Sequence, residues 1–511
     1  MKKIFIRTNF GDKVGLGHLF RMKKFADSFL QKKKIIFLLD NYNDIIPKIL
    51  SYKCIFLYDR NRKYFSQKED ANIVKKILDN YNVELLVVDD YRFDQIWEKT
   101  FYKRIKLLVF DDNNSNKHKC DFLVDAKWDG EKTYYRYAKL LNKNTIKILG
   151  PQYSILDINK IKYNKKNKNF IILFYLGGGG NFKNYKNFFL NLIEQTKNEK
   201  IQIILIKGPF ARNYEKLFFF LKNFSNIKIE INNLDIDKIL PIVDLYIGVS
   251  SSIIYKLNYY NIPSILFSTT KNQNNSFEAL GDLGFYFFLK KKDFIRRCQD
   301  LSKFIVCIIN NYSIIKNINK NRIKIDTKGC ERIKNLIFDQ HKYQVIYKRI
   351  EKKPIFQNDG IYRVNDNQIN FYLYNRNLIS NRINSGIQKK IDNLDHYLWW
   401  FNEKKKLFYL IRDNKIRLFF FHKIINIKNS YYYYGGWFKT KNVTTIGDVI
   451  SVVKWQILTY KKYKWIALIR KKNLFVKKIN LYLGFKKINL NKKYRSFFKD
   501  LNIRKFDLFI K

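Results

Sequence analysis

At 511 residues the chain is too long for one compact domain, and a content of 46% hydrophobic and 17% aromatic residues excludes global disorder. Its formal charge of +55 comes from 99 Lys and Arg against 44 Asp and Glu, spread along the whole chain. The residue types in excess (Lys, Asn, Ile, Phe, Tyr) are those that A/T-rich codons encode, so the charge marks no specific nucleic-acid surface and favours only a general attraction for anionic substrates or membranes.

In chain order, residues 3–7 read as a strand. Residues 18–30 follow as a helix, with Leu19, Met22, Phe25, Ala26, Phe29 and Leu30 on one face. Further strands are expected at 34–39, 84–89 and 106–110. A polar stretch at 159–169 leads into a second series of strands at 170–176, 201–206, 245–249 and 264–267. Strands alternating with helices predict βαβ units and doubly wound parallel sheets, with a ligand cleft between the two blocks. A helical stretch is expected over 290–338 and a linker over 345–368. Aromatic strand-like runs at 408–410, 418–421 and 430–434 then predict a third, α+β domain. The expected domains are 1–158, 165–340 and 345–511.

Five scattered cysteines (Cys54, Cys120, Cys298, Cys307, Cys330) have neither CxxC pairing nor metal-ligand spacing, so reduced thiols and no metal site are expected. The N-terminal residues meet Arg7 after only three apolar positions, unlike a signal peptide. No apolar run is long enough for a membrane span, so a cytoplasmic location is expected. The runs at 404–406 and 431–434 read as a solvated charged face and an aromatic strand.

The chemistry concentrates at Val14-Gly15-Leu16-Gly17-His18-Leu19-Phe20-Arg21, between the first strand and the first helix. Glycines there let the backbone turn tightly and approach a ligand, and the helix N-terminus offers N–H groups to an anion. His18, alone among five histidines, sits in a glycine-framed strand-to-helix turn. The helix dipole there disfavours imidazolium, which suits a general base, although a capping histidine in a tight turn fits the same residues.

The pattern Arg7 … Gly15-Leu16-Gly17-His18 … Arg21 resembles the opening signature of the inverting UDP-sugar hydrolases of pseudaminic-acid biosynthesis, relatives of GT-B glycosyltransferases. Further likenesses follow in order: Asp89-Asp90-Tyr91, Phe110-Asp111-Asp112, Leu176-Gly177-Gly178-Gly179-Gly180, Ser250-Ser251-Ser252, Asn272-Gln273, and the segment from Asp326 to Ile333. They span about residues 1–340. The resemblance implies two tandem Rossmann-like domains of the GT-B type. It also implies that His18 activates water against the anomeric carbon, with inversion and release of UDP. Gly17, Arg21, Asp89 and Tyr91 are then substrate ligands, with Gly177, Gly178 and Gly179 at the pyrophosphate. Ser251, Ser252, Lys256, Asn272 and Gln273 complete the nucleotide and sugar contacts, and hydrolysis needs neither cofactor nor metal. Two positions depart from the pattern. Thr8-Asn9 replaces an acidic residue after Arg7, and Lys256 stands where a Glu accepts from the ribose hydroxyls.

From about residue 369 the chain resembles GCN5-type N-acetyltransferases (GNATs), on Asn375-Arg376-Asn377 … Arg382, His396 … Trp399-Trp400, and Asn473 … Gly484-Phe485. This implies a smaller α+β domain that uses acetyl-CoA, with Asn473 at the pantetheine and Tyr482 near the acid position. That position itself holds Asn480, and no glycine lies within 449–483, where a CoA pyrophosphate would need one. The expected function is hydrolysis of a UDP-linked 2,4-diacetamido-trideoxyhexose, with possible N-acetyl transfer by the C-terminal domain. The alternatives are a GT-B glycosyltransferase for a surface polysaccharide and a catalytically decayed binding protein.

Overall fold

In a computed structural model, the described residues are 2–11, 14–59, 66–156, 158, 169–197, 200–231, 236–269, 276–318, 322–339, 358–402, 406–498 and 502–511. They form two compact units, Met1–Glu351 and Lys352–Lys511. Most of the polar stretch at 159–169 and of the linker at 345–368 lies outside the described residues.

The first unit contains two Rossmann-like halves. The first half holds β1 (Lys3–Thr8), α1 (Gly17–Asp27), β2 (Ile35–Leu39), β3 (Lys53–Phe56), α2 (Gln67–Leu78), β4 (Val83–Asp89), β5 (Leu107–Phe110), β6 (Phe122–Asp125) and β7 (Ile146–Leu149). Its sheet runs β3-β2-β1-β4-β5-β6-β7. Every pair is parallel. Parallel strands covered by helices on both faces are buried throughout, which explains apolar runs such as Ile35–Leu39, buried at all five positions. The helix α1 docks on this sheet through Leu19, Met22, Phe25 and Ala26, all wholly buried. It ends at Asp27, short of the expected residue 30, and Leu30 is fully exposed.

The second half holds β8 (Phe170–Tyr175), α3 (Lys186–Gln195), β9 (Ile201–Lys207), α4 (Glu215–Leu221), β10 (Ile227–Ile231), β11 (Leu245–Val249), α5 (Ile253–Tyr260), β12 (Ser264–Ser268), β13 (Phe287–Lys290) and α6 (Cys298–Asn310). Its parallel sheet runs β10-β9-β8-β11-β12-β13. The order reverses beside β1 in the first sheet and beside β8 in the second, so each sheet has a topological switch point where such folds bind ligands. This is the GT-B fold class. The helix α7 (Gly329–Phe338) then returns to the first half. Cys330, Ile333, Leu336 and Ile337 join the core of Met22, Phe25 and Phe37, and the Lys106 ammonium donates to the Ile337 carbonyl at 3.1 Å. Trp128 makes the reciprocal crossing, buried in the second half's core with its indole N–H 3.0 Å from Asp282.

The second unit runs β14 (Gly360–Arg363), α8 (Ile369–Arg376), α9 (Ile379–Ile383), α10 (Asn393–Asn402), β15 (Lys406–Arg412), β16 (Lys415–Ile427), β17 (Ser430–Lys439), α11 (Ile446–Thr459), β18 (Lys464–Arg470), α12 (Leu474–Tyr482), β19 (Lys486–Ile488) and β20 (Phe506–Ile510). Its sheet order is β14-β15-β16-β17-β18-β20-β19. Only β17–β18 is parallel, pairing Tyr432–Tyr434 with Lys464–Ile466. The unit is a mixed-sheet α+β domain. Among the described residues no helix is long and apolar enough to cross a membrane.

Candidate functional site

The site is built where β1 hands over to α1. The loop folds on itself through the Gly15 N–H to Gly11 carbonyl bond of 2.6 Å, and Gly15 has φ of +78°, a region in which a side chain would be strained. Gly17 opens α1, which places His18 in the first turn, 6% exposed. Its Nδ1 lies 2.6 Å from Asp89 Oδ1, at the C-terminal end of β4. β1 and β4 are neighbours with Thr8 opposite Asp89, so strand pairing fixes this distance.

Burial alone would raise the Asp89 carboxyl pKa, but Arg21 and His18 outweigh it and hold it down at about 2. Arg21 clamps the same carboxylate from the next turn of α1, Nη2 to Oδ1 at 2.6 Å and Nε to Oδ2 at 2.8 Å. An ionised carboxylate only accepts, so Nδ1 of His18 is the donor, and in the neutral ring Nε2 keeps the lone pair. The arrangement orients an imidazole as an acceptor for a proton.

Tyr91 meets the His18 ring edge to face, centroids 4.5 Å apart. Its hydroxyl donates to Asp112, which also receives Arg21 Nη1 at 3.3 Å. Burial, then Asp112, pushes the Tyr91 phenol well above its ordinary pKa and keeps it protonated. His18, Arg21, Asp89, Tyr91 and Asp112 thus form one connected cluster.

The second half brings its own glycine loop to this point. Gly177 has φ of +80°, and a Cβ on Gly178 would lie 3.5 Å from the Leu16 amide nitrogen. A Cβ on Gly208 would come within 2.5 Å of the Gly177 and Gly178 carbonyls, so β9 supports the loop by close backbone approach. Ser252 begins α5 without a side-chain cap, and Ser251 precedes it. One turn on, the Tyr255 hydroxyl reaches across to the Ala126 carbonyl at 2.9 Å. Lys256 pairs with Asp237 at 2.5 Å, so a carboxylate is present beside the position where the resemblance implied Glu. Asn272 and Gln273 lie outside the described residues.

Two buried networks flank the cluster along the same strand ends. Arg7, wholly buried, binds Asp70 (2.6 Å) and Asp40 (2.5 Å), and Arg92 bridges Asp40 (2.6 Å) to Asp90 (2.5 Å). Asp70 also accepts from the Tyr58 hydroxyl and the Trp97 indole. On the other side His118 holds Glu98 (2.6 Å) and Asp111 (3.3 Å). Burial opposes its charge, but hydrogen bonds to Asp111 and Glu98 prevail and push its pKa up to about 9. A raised folded-state value stabilises fully below the unfolded value of about 6.5, and that contribution fades as pH rises through 9. Stability should therefore fall by ~1.4 kcal/mol per pH unit across this window, about 3 kcal/mol in all. Urea midpoints measured from pH 6.5 to 9 check this, and a His118→Gln variant, weaker at neutral pH, should lose the slope.

The N-terminus of α11, where a pyrophosphate would sit, is closed by its own capping box: the Asp448 amide donates to Thr445 Oγ1 (3.1 Å), and the Thr445 amide donates to Asp448 Oδ2 (2.8 Å). A carboxylate at that end opposes a phosphate. Asn473 serves as the N-cap of α12, the buried Asn480 donates to the Val476 carbonyl, and Tyr482 is 71% exposed at the far end of the helix. The Asn375 and Asn377 amides and Arg382 bond loop backbone, and His396, its pKa lowered to about 4 by burial, donates Nε2–H to the Ile369 carbonyl.

Sequence reasoning quoted Asp112 without a role and passed over Asp70, Glu98 and Tyr255. A carboxylate just past each of β2, β4 and β5, or closing one as Asp89 and Asp125 do, was an available signal for the strand-end acids, Asp112 among them, but not for Asp70, Glu98 or Tyr255, which lie on helices.

No family model matches the chain. An uncharacterized protein of Methanocaldococcus jannaschii is 25% identical over 295 residues, covering 54% of this chain. The chain spans 57% of the length of that curated relative. Among solved structures the chain is similar to Acinetobacter baumannii MurG, 12% identical over 66% of this chain and 100% of that one, TM-score 0.44. Staphylococcus aureus MnaA in its co-structure with UDP is 12% identical over 68% of this chain and 97% of that one, TM-score 0.45. A ribosomal-protein-alanine N-acetyltransferase from Brucella melitensis is 13% identical over 30% of this chain and 96% of that one, TM-score 0.24.

Proposed function

We propose that the first unit hydrolyses a UDP-linked 2,4-diacetamido-trideoxyhexose to UDP and the free sugar. The observation that carries this reading is the His18–Asp89–Arg21 arrangement, in which an ionised carboxylate leaves Nε2 of His18 as the proton acceptor. In the proposed step a water oxygen gives its proton to Nε2 and bonds to the anomeric carbon. The bond from that carbon to the phosphate oxygen breaks, and UDP leaves with the electron pair from the opposite face, so the configuration inverts. Backbone N–H groups of the 177–180 loop suit the developing charge on the pyrophosphate. The sequence resemblance and the GT-B fold class support the substrate class. We read the second unit as not transferring acetyl groups.

The test is release of UDP and free sugar from UDP-linked diacetamido-trideoxyhexoses, followed by proton NMR. Stoichiometric release, with the inverted anomer appearing first and no dependence on acetyl-CoA, is expected. Turnover only when a carbohydrate acceptor is added would instead establish a glycosyltransferase. Steeply salt-dependent binding of unrelated polyanions, without any turnover, would establish a decayed binding protein.

A further inference from the structure

Arg136 follows the turn that leaves β6, and its side chain is only 8% exposed. Its Nη2 pairs with Asp125, wholly buried at the end of β6, which already accepts from the Tyr137 hydroxyl (3.1 Å) and the Lys127 amide (2.7 Å). Among the described residues the Nε of Arg136 finds no acceptor, and its Nη2, though against Asp125, makes no hydrogen bond. The other cations on this row of strand ends hold two acidic partners each: Arg7 with Asp40 and Asp70, Arg21 with Asp89 and Asp112, Arg92 with Asp40 and Asp90, His118 with Glu98 and Asp111. A buried donor left unmatched needs an occupant from outside the chain, a water or a ligand.

Its position says where that occupant lies. The segment from Ala126 to Tyr134 lies against the second half, through Tyr255 on Ala126 and through Trp128 and Tyr134 on the second core. Arg136 therefore sits at the edge of the first sheet that faces the second half, the edge that also carries Asp89, Tyr91 and Asp112. Burial lowers its pKa, and Tyr137, Tyr255, Asp112 and Asp111 oppose that effect. A pyrophosphate placed here would face the carboxylates of Asp111, Asp112 and Asp125. A neutral oxygen would meet no such charge repulsion. A carbonyl accepts without donating, matching a guanidinium that donates without accepting. A sugar hydroxyl accepts as well and could give its proton to a neighbouring carboxylate, a case that UDP-glucose, which offers hydroxyls alone, separates.

We propose that Arg136 is a specificity-determining residue that donates to the acyl carbonyl of an N-acylated amino-sugar. This rests on the nucleotide-sugar reading above.

The test titrates the wild type, Arg136→Lys and Arg136→Met with UDP, UDP-glucose and UDP-N-acetylglucosamine by calorimetry. The Lys variant keeps a cation for Asp125 and so guards against simple unfolding. The wild type should prefer the N-acetylated sugar, and both variants should lose that preference, affinity for it falling about tenfold while that for UDP stays the same. An equal fall for UDP would assign Arg136 to phosphate and overturn the proposal. Unchanged affinities, or a wild type indifferent to the acetamido group, would overturn it too. A wild type that binds none of the three would remove the nucleotide-sugar reading itself, and the proposal with it.

Discussion

His18→Ala should lower kcat for UDP release by about 10³-fold, within the range general-base removal gives, with affinity for the nucleotide sugar little changed. Asp89→Asn should cost a similar factor by another route. An amide can donate to Nδ1, which stabilises the tautomer carrying its proton on Nε2 and removes the acceptor the reaction needs. The same change leaves Arg21 without its bidentate anion, so the variant should also bind substrate less well. Single-turnover kinetics separate the two effects: His18→Ala should alter the chemical step alone, Asp89→Asn both chemistry and binding. Turnover retained by His18→Ala would end the assignment of the base.

Asp70→Ala should be the most damaging substitution for stability. Asp70 is wholly inaccessible and accepts four donor contacts: two from Arg7, at 3.3 and 2.6 Å, one from Tyr58 at 2.6 Å and one from Trp97 at 2.8 Å. Its removal leaves a buried guanidinium with Asp40 and the Thr8 and Leu38 carbonyls but without its fully buried carboxylate, a loss of about 3–5 kcal/mol. The half-exposed Asp326, which pairs with Arg332 at 2.6 Å, is the control, and its loss should cost about 0–1 kcal/mol. Urea unfolding of the two variants decides the matter, since equal shifts would mean that the buried network contributes nothing special.

Much of the fold was legible because parallel strands buried on both faces write themselves as apolar runs, as in Ile35–Leu39 and Leu245–Val249. Other strands of similar length were not. Lys53–Phe56, Phe122–Asp125, Ile146–Leu149 and Ile227–Ile231 are too short for periodicity, and lysines interrupt several of them. The site was legible at His18, Arg21, Asp89 and Tyr91, which share one glycine turn and one strand end. Its wider polar frame was not, because Arg7, Asp70, Glu98 and His118 meet only through strand order, which no local pattern carries. The capping box of α11 was readable as Thr445 … Asp448, yet its consequence for a phosphate appears only once the helix is seen to start at Ile446.

The return of α7 to the first half also sets the order in which the chain can mature. The first sheet and α1 are synthesised early, but the apolar face that Ile333, Leu336 and Ile337 cover stays open until the ribosome has passed Phe338. At about 5–20 residues per second, that leaves a greasy, half-finished nascent chain for roughly ten to forty seconds. Truncation before Gly329 would make the condition permanent. Such a fragment should be prone to aggregation and dependent on chaperones, however intact its glycine turn and histidine.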